Sequence, residues 1–334
     1  MTTQITRVAK RPRKTTSLEI LCGLLILAAV FQGLLGELFD TPSLRTGSTV
    51  FVAICVQAMP FLVLGVLISG AIAAFVPASA LRRLLPRRDS AAVGVASLAG
   101  VALPGCECAS VPVARRLMQQ GVAPAAAVAF LLAAPAVNPV VLVATAVAFP
   151  GSPEMVLARF AGSLATALVM GWLWARFGRV DWIVERALRA LPVRDGGSKW
   201  AAFAETARTD LVSSGGFLVL GGLTAAALNV LVPSSWLVGL GSNLVLGVLV
   251  MALLAVILAL CSEADAFVVA SLSALPLLPR LVFLVVGPVV DVKLVAMQAG
   301  TFGRAFALRF APVTFVVAIV CAVAAGLLVL GGVR

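Results

Sequence analysis

Val101-Ala-Leu-Pro-Gly-Cys-Glu-Cys-Ala-Ser-Val-Pro112 interrupts an otherwise apolar stretch running from about residue 91 to residue 120. Pro104 has no amide proton and clashes with the preceding turn, and Gly105 beside it is a poor helix former. The stretch therefore divides into two apolar arms of about 14 residues, each short of the ~20 needed to cross a hydrocarbon core. Two short arms joined at a break predict a re-entrant hairpin. The setting supports a bilayer: of 334 residues, 61% are hydrophobic and only 12% charged. Several other apolar runs are long enough to span, so the chain reads as an all-α polytopic membrane protein in which each helix satisfies its own backbone.

The same organisation recurs further along. Phe61-Leu-Val-Leu-Gly65 returns as Phe217-Leu-Val-Leu-Gly221, and Val76-Pro77 as Val232-Pro233. Cys108, Phe130, Pro135 and Asn138 fall opposite Cys261, Phe283, Pro288 and Asp291, and Arg159-Phe-Ala161 opposite Arg309-Phe-Ala311. Collinear blocks of this kind indicate a duplication. Each repeat reads as a helix (about 48–76 and 210–232), an interrupted segment (about 91–120 and 242–276), a helix (about 124–149 and 279–302) and a final helix (about 155–177 and 309–331). The expected divisions are a basic N-terminus (1–17), an extra anchor helix (18–36) retained rather than cleaved, repeat 1 (47–177), a basic linker (178–207) and repeat 2 (208–332).

The net charge of +11 does not point to nucleic acid, because Lys and Arg gather in a few polar connections. The groups are Arg7, Lys10, Arg11, Arg13 and Lys14; Arg82, Arg83, Arg87 and Arg88; and Arg176, Arg179, Arg186, Arg189, Arg194 and Lys199. If each interrupted segment enters and leaves on one side, the chain has about seven full spans plus two hairpins, and the repeats lie in opposite orientations. From a cytoplasmic N-terminus, this arrangement puts all three groups, with Arg304 and Arg309, in the cytoplasm of a bacterium whose inner membrane holds the chain. A single crossing by residues 91–120 would place the basic loop 178–200 outside. The arm from Asn243 to Leu260 is long enough to cross, which leaves eight or nine spans as the alternative.

Both interruptions carry reactive groups: Cys106, Glu107 and Cys108 in the first, and Cys261-Ser-Glu-Ala-Asp265 in the second. Ionisable groups at membrane depth cost a few kcal/mol each, so they need partners or a wet cavity. Thiolates with carboxylates suit a thiophilic ion such as zinc, copper(I) or a trivalent metalloid, and the chain has no histidine to make an imidazole site. The candidate metal ligands are Cys106, Cys108, Cys261, Glu263 and Asp265, with Glu107, Asn138 and Asp291 as further substrate contacts. For a Cys-x-Cys pair at a tight turn, small apolar packing is the competing reading. Asn138 and Asp291 each follow a proline by three residues, where a polar side chain lines a cavity or rebinds freed backbone. A pair between Asp291 and Lys293 is disfavoured if both lie on a helix, since residues two apart do not face each other, so both charges need other partners and point to a substrate path. Arg115 and Arg116, like Arg159 and Arg309, read as interfacial anchors. Cys22, Cys55 and Cys321 lie singly in apolar runs and read as small buried hydrophobes.

The motifs Cys106-Glu-Cys-Ala-Ser-Val-Pro-Val-Ala-Arg-Arg-Leu117, Ala134-Pro-Ala-Val-Asn-Pro139, Cys261-Ser-Glu-Ala-Asp-Ala266 and Gly287-Pro-Val-Val-Asp-Val-Lys293 together resemble the predicted-permease family that includes the ArsP organoarsenical exporters and the YraQ-type permeases. The resemblance covers about residues 45–325 and implies a membrane permease. In the ArsP branch it implies efflux of trivalent organoarsenicals through cysteines. Glu107 between the cysteines and the acidic second motif depart from the Cys-Ser-Cys form of that branch. They are closer to a branch paired with a second small membrane subunit and linked to metal homeostasis.

The expected function is a secondary transporter of a divalent metal such as zinc, or its complex, by alternating access around the two breaks. The metal is cargo; no cofactor is expected. Arsenical efflux and a membrane thiol oxidoreductase using Cys106 and Cys108 are the alternatives, together with a subunit inactive without its partner. The chain carries no Walker A pattern, zincin motif or nucleophile elbow, and is not expected to be an enzyme. Its expected partners are the lipid bilayer, a metal or metalloid substrate and the second subunit.

Overall fold

The computed structural model describes residues 42–76, 86, 88–102, 107–188, 198–231, 244–272 and 275–331. The expected N-terminus (1–17) and anchor helix (18–36), the basic residues Arg82, Arg83 and Arg87, the turn Pro104 to Cys106 and linker residues 189–197 lie outside them.

Among the described residues every regular element is helical. The order is α1 (Pro42–Phe75), α2 (Asp89–Ala99) running into a 3-10 turn at Gly100–Ala102, α3 (Glu107–Gln119), α4 (Pro124–Ala133), α5 (Pro139–Ala148), α6 (Pro153–Phe177), a 3-10 turn at Val180–Trp182, α7 (Glu185–Leu188), α8 (Lys199–Leu231), α9 (Leu244–Leu258), α10 (Ser262–Ser271), α11 (Leu277–Val286), α12 (Val292–Thr301) and α13 (Arg304–Val329). Four of these helices, Leu44–Phe75 within α1, α6, Lys199–Ala227 within α8 and α13, are long and apolar enough to cross a membrane. Large apolar side chains point away from the protein along them, with Val320 61%, Leu308 73% and Leu328 84% exposed. A belt of that kind belongs in lipid, and the chain is a polytopic membrane protein.

Both interrupted segments are present as paired short helices, α2 with α3 and α9 with α10. The second break falls at Ala259 to Cys261, and Ala259 takes φ 48°, a left-handed conformation that an L side chain adopts at a cost of ~1–3 kcal/mol. The expected continuous helices over 124–149 and 279–302 are each broken in two, α4 from α5 and α11 from α12. Pro135 and Pro139 have no amide to donate across the first gap, and Pro288 has none in the second. Asn138 and Asp291 then serve as N-caps of the helices that follow.

The long helices pack in antiparallel pairs. Along α1 and α8, Gly47 faces Val230, Phe51 and Ile54 face Gly222, and Gly70 faces Phe203. Along α6 and α13, Gly162 faces Ala322 and Ala325, while Trp174 meets Phe306 at a tilt and Phe310 edge to face, at centroid distances of 5.2 and 6.0 Å. The short helices fill the space between: α4 packs on α2, α3 and α6, while α11 packs on α9, α10 and α13. Contacts across the two halves join α3 to α12 and α10 to α5. After α6 the chain folds back, and Val184 donates to the Phe302 carbonyl at 2.8 Å beside Gly303, whose φ of 109° lets the chain turn there. The exposed Arg309 lies over the Trp182 ring at 5.0 Å.

Candidate functional site

Lys293, in the first turn of α12, is wholly buried and joins the two interrupted segments. Its Nζ lies 2.5 Å from Glu107 Oε1 at the start of α3 and 3.5 Å from Asp291 Oδ2. It donates to the carbonyls of Ala259 at 2.8 Å and Leu260 at 3.3 Å, and approaches Cys261 Sγ at 4.0 Å. A cation near a helix N-terminus opposes the helix dipole, so this ammonium depends on the carboxylates and carbonyls around it. Glu107 and Asp291, each at such a terminus, have the favourable sign.

The expected site residues separate into groups. Glu107, Cys261 and Asp291 meet at Lys293, and the fully buried Cys108 lies within its electrostatic reach. The disfavoured pair of Asp291 and Lys293 does form, because Asp291 is extended at the N-cap rather than helical (φ −141°, ψ 169°). Its Oδ1 accepts from the Leu294 amide at 2.6 Å. Asn138 plays the matching part, accepting from the Val141 amide and donating to the Ala134 carbonyl, both at 3.0 Å. It thereby ties the end of α4 to the start of α5.

Glu263 and Asp265 lie in the first turn of α10, within electrostatic reach of a second buried cation, Arg159. Arg159 is not the interfacial anchor its position suggested: it is wholly buried, donating from Nη1 to Thr145 Oγ1 at 2.7 Å and from Nη2 to the Ser262 carbonyl at 2.9 Å. It thus crosses from one half of the chain to the break in the other. Asp265 Oδ2 accepts no hydrogen bond among the described residues. Asp265 lies so close to Gly287 that a Cβ there would come within 2.9 Å of Oδ2.

Among the described residues, no three Cys, Asp or Glu side chains converge closely enough to hold a metal ion, and Cys106 lies outside them. Arg115 and Arg116 also depart from simple anchoring. Each guanidinium stands 3.6 Å from a carboxylate oxygen of the buried Asp210 on α8, and Asp210 accepts from Ser69 of α1 at 2.7 Å. Arg116 is buried as well. Sequence reasoning kept Lys293 as a charge in need of a partner without naming one, and passed over Asp210. The signal for the first was a lysine in an apolar segment, which at membrane depth marks a functional position.

Broken helices whose ends carry buried, paired charge, inside a frame of lipid-facing helices, are a recurring architecture of membrane transport proteins. The chain belongs to a predicted-permease family, ArsP_1, whose profile matches residues 43–327. It is similar to the UPF0718 protein YcgR of Bacillus subtilis (strain 168), with 36% identity over 279 residues, covering 82% of this chain and 94% of the relative. It is also similar to a putative two-component membrane permease complex subunit of Streptococcus mutans, with 32% identity over 286 residues, covering 84% of this chain and 94% of the relative. No solved structure matches the chain.

Proposed function

We propose that this permease moves a thiophilic cation, a divalent metal such as zinc or its complex, by alternating access around the two interrupted segments. The observation that carries the reading is the convergence at Lys293 of Glu107 from one break with Cys261 and two freed carbonyls from the other. Cys106, Cys108 and Cys261 would supply soft ligands, while Glu107, Glu263, Asp265 and Asp291 supply negative charge, with Asn138 shaping the break opposite Asp291. The carboxylates favour a metal cation over a trivalent arsenical, for which thiols alone suffice.

The architecture we infer is an inverted repeat with two re-entrant hairpins. Supporting it, α1 and α8 correspond in the duplicated sequence and pack antiparallel, as do α6 and α13. Arg176 in the last turn of α6 and Arg179 just beyond it fall at the same end as Arg304 and Arg309, which favours a cytoplasmic face there and a cytoplasmic N-terminus. The relative named as one subunit of a two-component complex favours a second small membrane subunit for this chain also.

The test is movement of zinc, copper(I), cobalt and methylarsenite into vesicles containing the purified protein, compared with the Cys106→Ser/Cys108→Ser/Cys261→Ser variant. Selective movement of one ion, lost in the variant, supports the reading and names the cargo. Methylarsenite alone would replace the metal with an arsenical. A reversible Cys106–Cys108 disulfide with no transport would favour a thiol oxidoreductase.

A further inference from the structure

The two halves of the chain meet at two seams. At the first, α3 packs on α12 and Lys293 reaches Glu107 across it. At the second, α10 packs on α5, and Arg159 ties Thr145 of α5 to the Ser262 carbonyl of α10. The duplication makes these seams equivalent: Cys108 at the start of α3 corresponds to Cys261, the N-cap of α10, and Asn138, the N-cap of α5, corresponds to Asp291, the N-cap of α12. Their surroundings differ. α1 lies against α3, where Gly65 meets Ala109 and Ser69 Oγ donates to the Pro112 carbonyl at 3.4 Å. α8 lies against α12, where Gly221 meets Lys293 and Phe217 meets Gly300. Beneath that pair of long helices, no residue of α3 or α12 is exposed. The helices of the second seam are bare on one side, with Val143 62% and Val147 63% exposed on α5 and Phe267 51% exposed on α10.

Lipid is a poor cover for this face. α5 and α10 have 10 residues each, about 15 Å of helix and half the thickness of a hydrocarbon core, so at least one end of each falls where hydrocarbon offers the backbone no hydrogen bond. Behind them lies the wholly buried Arg159 guanidinium, whose Nε makes no hydrogen bond among the described residues, and a charge held one helix away from hydrocarbon is costly. The face also continues into a recess of about 600 Å³ at the turn from α5 to α6, lined by Leu142, Ala146, Phe149, Val156, Leu157 and Phe160, which has room for side chains of another helix. We propose that the bare face of α5 and α10 is the docking surface for the second membrane subunit, which lays a pair of apolar membrane-spanning helices there as α1 and α8 lie over α3 and α12. The inference rests on the two-component reading above and gives it a place: the partner completes the enclosure of the Arg159 seam. The occupant is a different chain rather than a second copy. The relative named as one component of two is matched by this chain over 94% of its length, so it has little chain left for covering helices of its own, and its other component is the source that remains.

The test puts the photoreactive residue p-benzoylphenylalanine in place of Val143, Val147 or Phe267 of the full chain, and in place of the exposed Leu308 or Val320 of α13 as controls, in membranes of the cells that make the protein. Irradiation should join the α5 and α10 positions to one and the same protein, distinct from this chain and carrying at least two apolar spans, with at least ~10-fold less of it joined at the controls. Co-expressed with that protein, the Val143→Trp/Val147→Trp/Phe267→Ala variant should retain at least ~10-fold less of it through purification than wild type does, with unchanged elution and thermal midpoint. If that variant aggregates, the cross-linking decides alone. Adducts with phospholipid only, within the same chain, or with a second copy overturn the proposal. A partner that stays with the wild-type chain but cross-links as well from α13 overturns the surface and leaves the two-component reading standing. No membrane protein bound by either measure overturns both, while zinc movement still tests the permease reading separately.

Discussion

The duplicated Phe-Leu-Val-Leu-Gly motif leads to a prediction with a built-in comparison. Gly65 of α1 ends one copy and packs against the backbone of Ala109, two residues beyond Glu107; a Cβ at Gly65 would lie 2.5 Å from Ala109 Cα, 2.7 Å from its Cβ and 2.8 Å from its oxygen. Gly221 ends the other copy, where a Cβ would lie 2.6 Å from Lys293 Cα and 2.9 Å from its Cβ. Comfortable carbon contacts need about 3.5–4.0 Å, so each alanine intrudes by about 1 Å on another helix's backbone, where no rotamer change gives relief. Overpacking of this kind costs about 1–3 kcal/mol, and the upper end applies when backbone must move. Better helix propensity returns about 1 kcal/mol, leaving a net loss of about 2 kcal/mol for Gly65→Ala and for Gly221→Ala. Gly94 is also inside a helix but has nothing within 4 Å of its would-be Cβ, so Gly94→Ala should gain about 0.5–1 kcal/mol. The assay is thermal unfolding of the three variants in one detergent, followed by size-exclusion chromatography. Gly65→Ala and Gly221→Ala proteins that melt with or above Gly94→Ala would refute close glycine packing at the site.

Substitutions at three further positions test other contacts of the buried polar groups. Arg159→Met removes the hydrogen bonds to Thr145 and the Ser262 carbonyl, and should cost about 3 kcal/mol in thermal or denaturant unfolding, with Arg159→Lys recovering only part because its point charge cannot fork between two acceptors. Asn138→Ala loses the cap of α5 and the link to Ala134, for an expected ~1–2 kcal/mol in unfolding. Asn138→Asp keeps the cap but sets a buried carboxylate against the Ala134 carbonyl, so it should cost at least as much as Asn138→Ala. Asp210→Asn weakens the hold on Arg115 and Arg116, so backbone amides at the end of α3 should exchange hydrogen faster than in wild type while those of α13 do not change.

The frame was legible because lipid imposes a coarse constraint: apolar length gives the long helices, and proline with glycine marks the breaks. Both interrupted segments lie close to where residues 91–120 and 242–276 placed them. The divided helices at Pro135 and Pro288 were not legible as such, since one proline in an apolar run reads as readily as a kink; a capping side chain three residues later decides for a break. The pairing of charges was least legible. Asp291 was judged by a helical spacing rule that does not apply at an N-cap, so its pairing with Lys293 was discounted and other partners were sought for both charges. Arg159 and Arg309 occupy equivalent places in the repeat, yet one is buried against Ser262 and the other is exposed over Trp182. Sequence equivalence carries no information about which copy turns inward, because that depends on packing with the opposite half.

The buried cations also bear on how such a chain is made. Arg159, in the first half, finds its carbonyl acceptor and its nearby carboxylates in the second; Lys293, in the second, finds Glu107 in the first. As the ribosome feeds the chain into the bilayer, the first half carries Arg159 and Glu107 for more than a hundred residues of synthesis before Ser262, Asp265 and Lys293 emerge. During that interval those charges must be sheltered by the insertion machinery or stay near the lipid headgroups, and the halves settle to full depth together. A nascent chain halted before Lys293 is therefore a natural substrate for membrane quality control, and two genes encoding the halves separately would need matched synthesis for either product to survive.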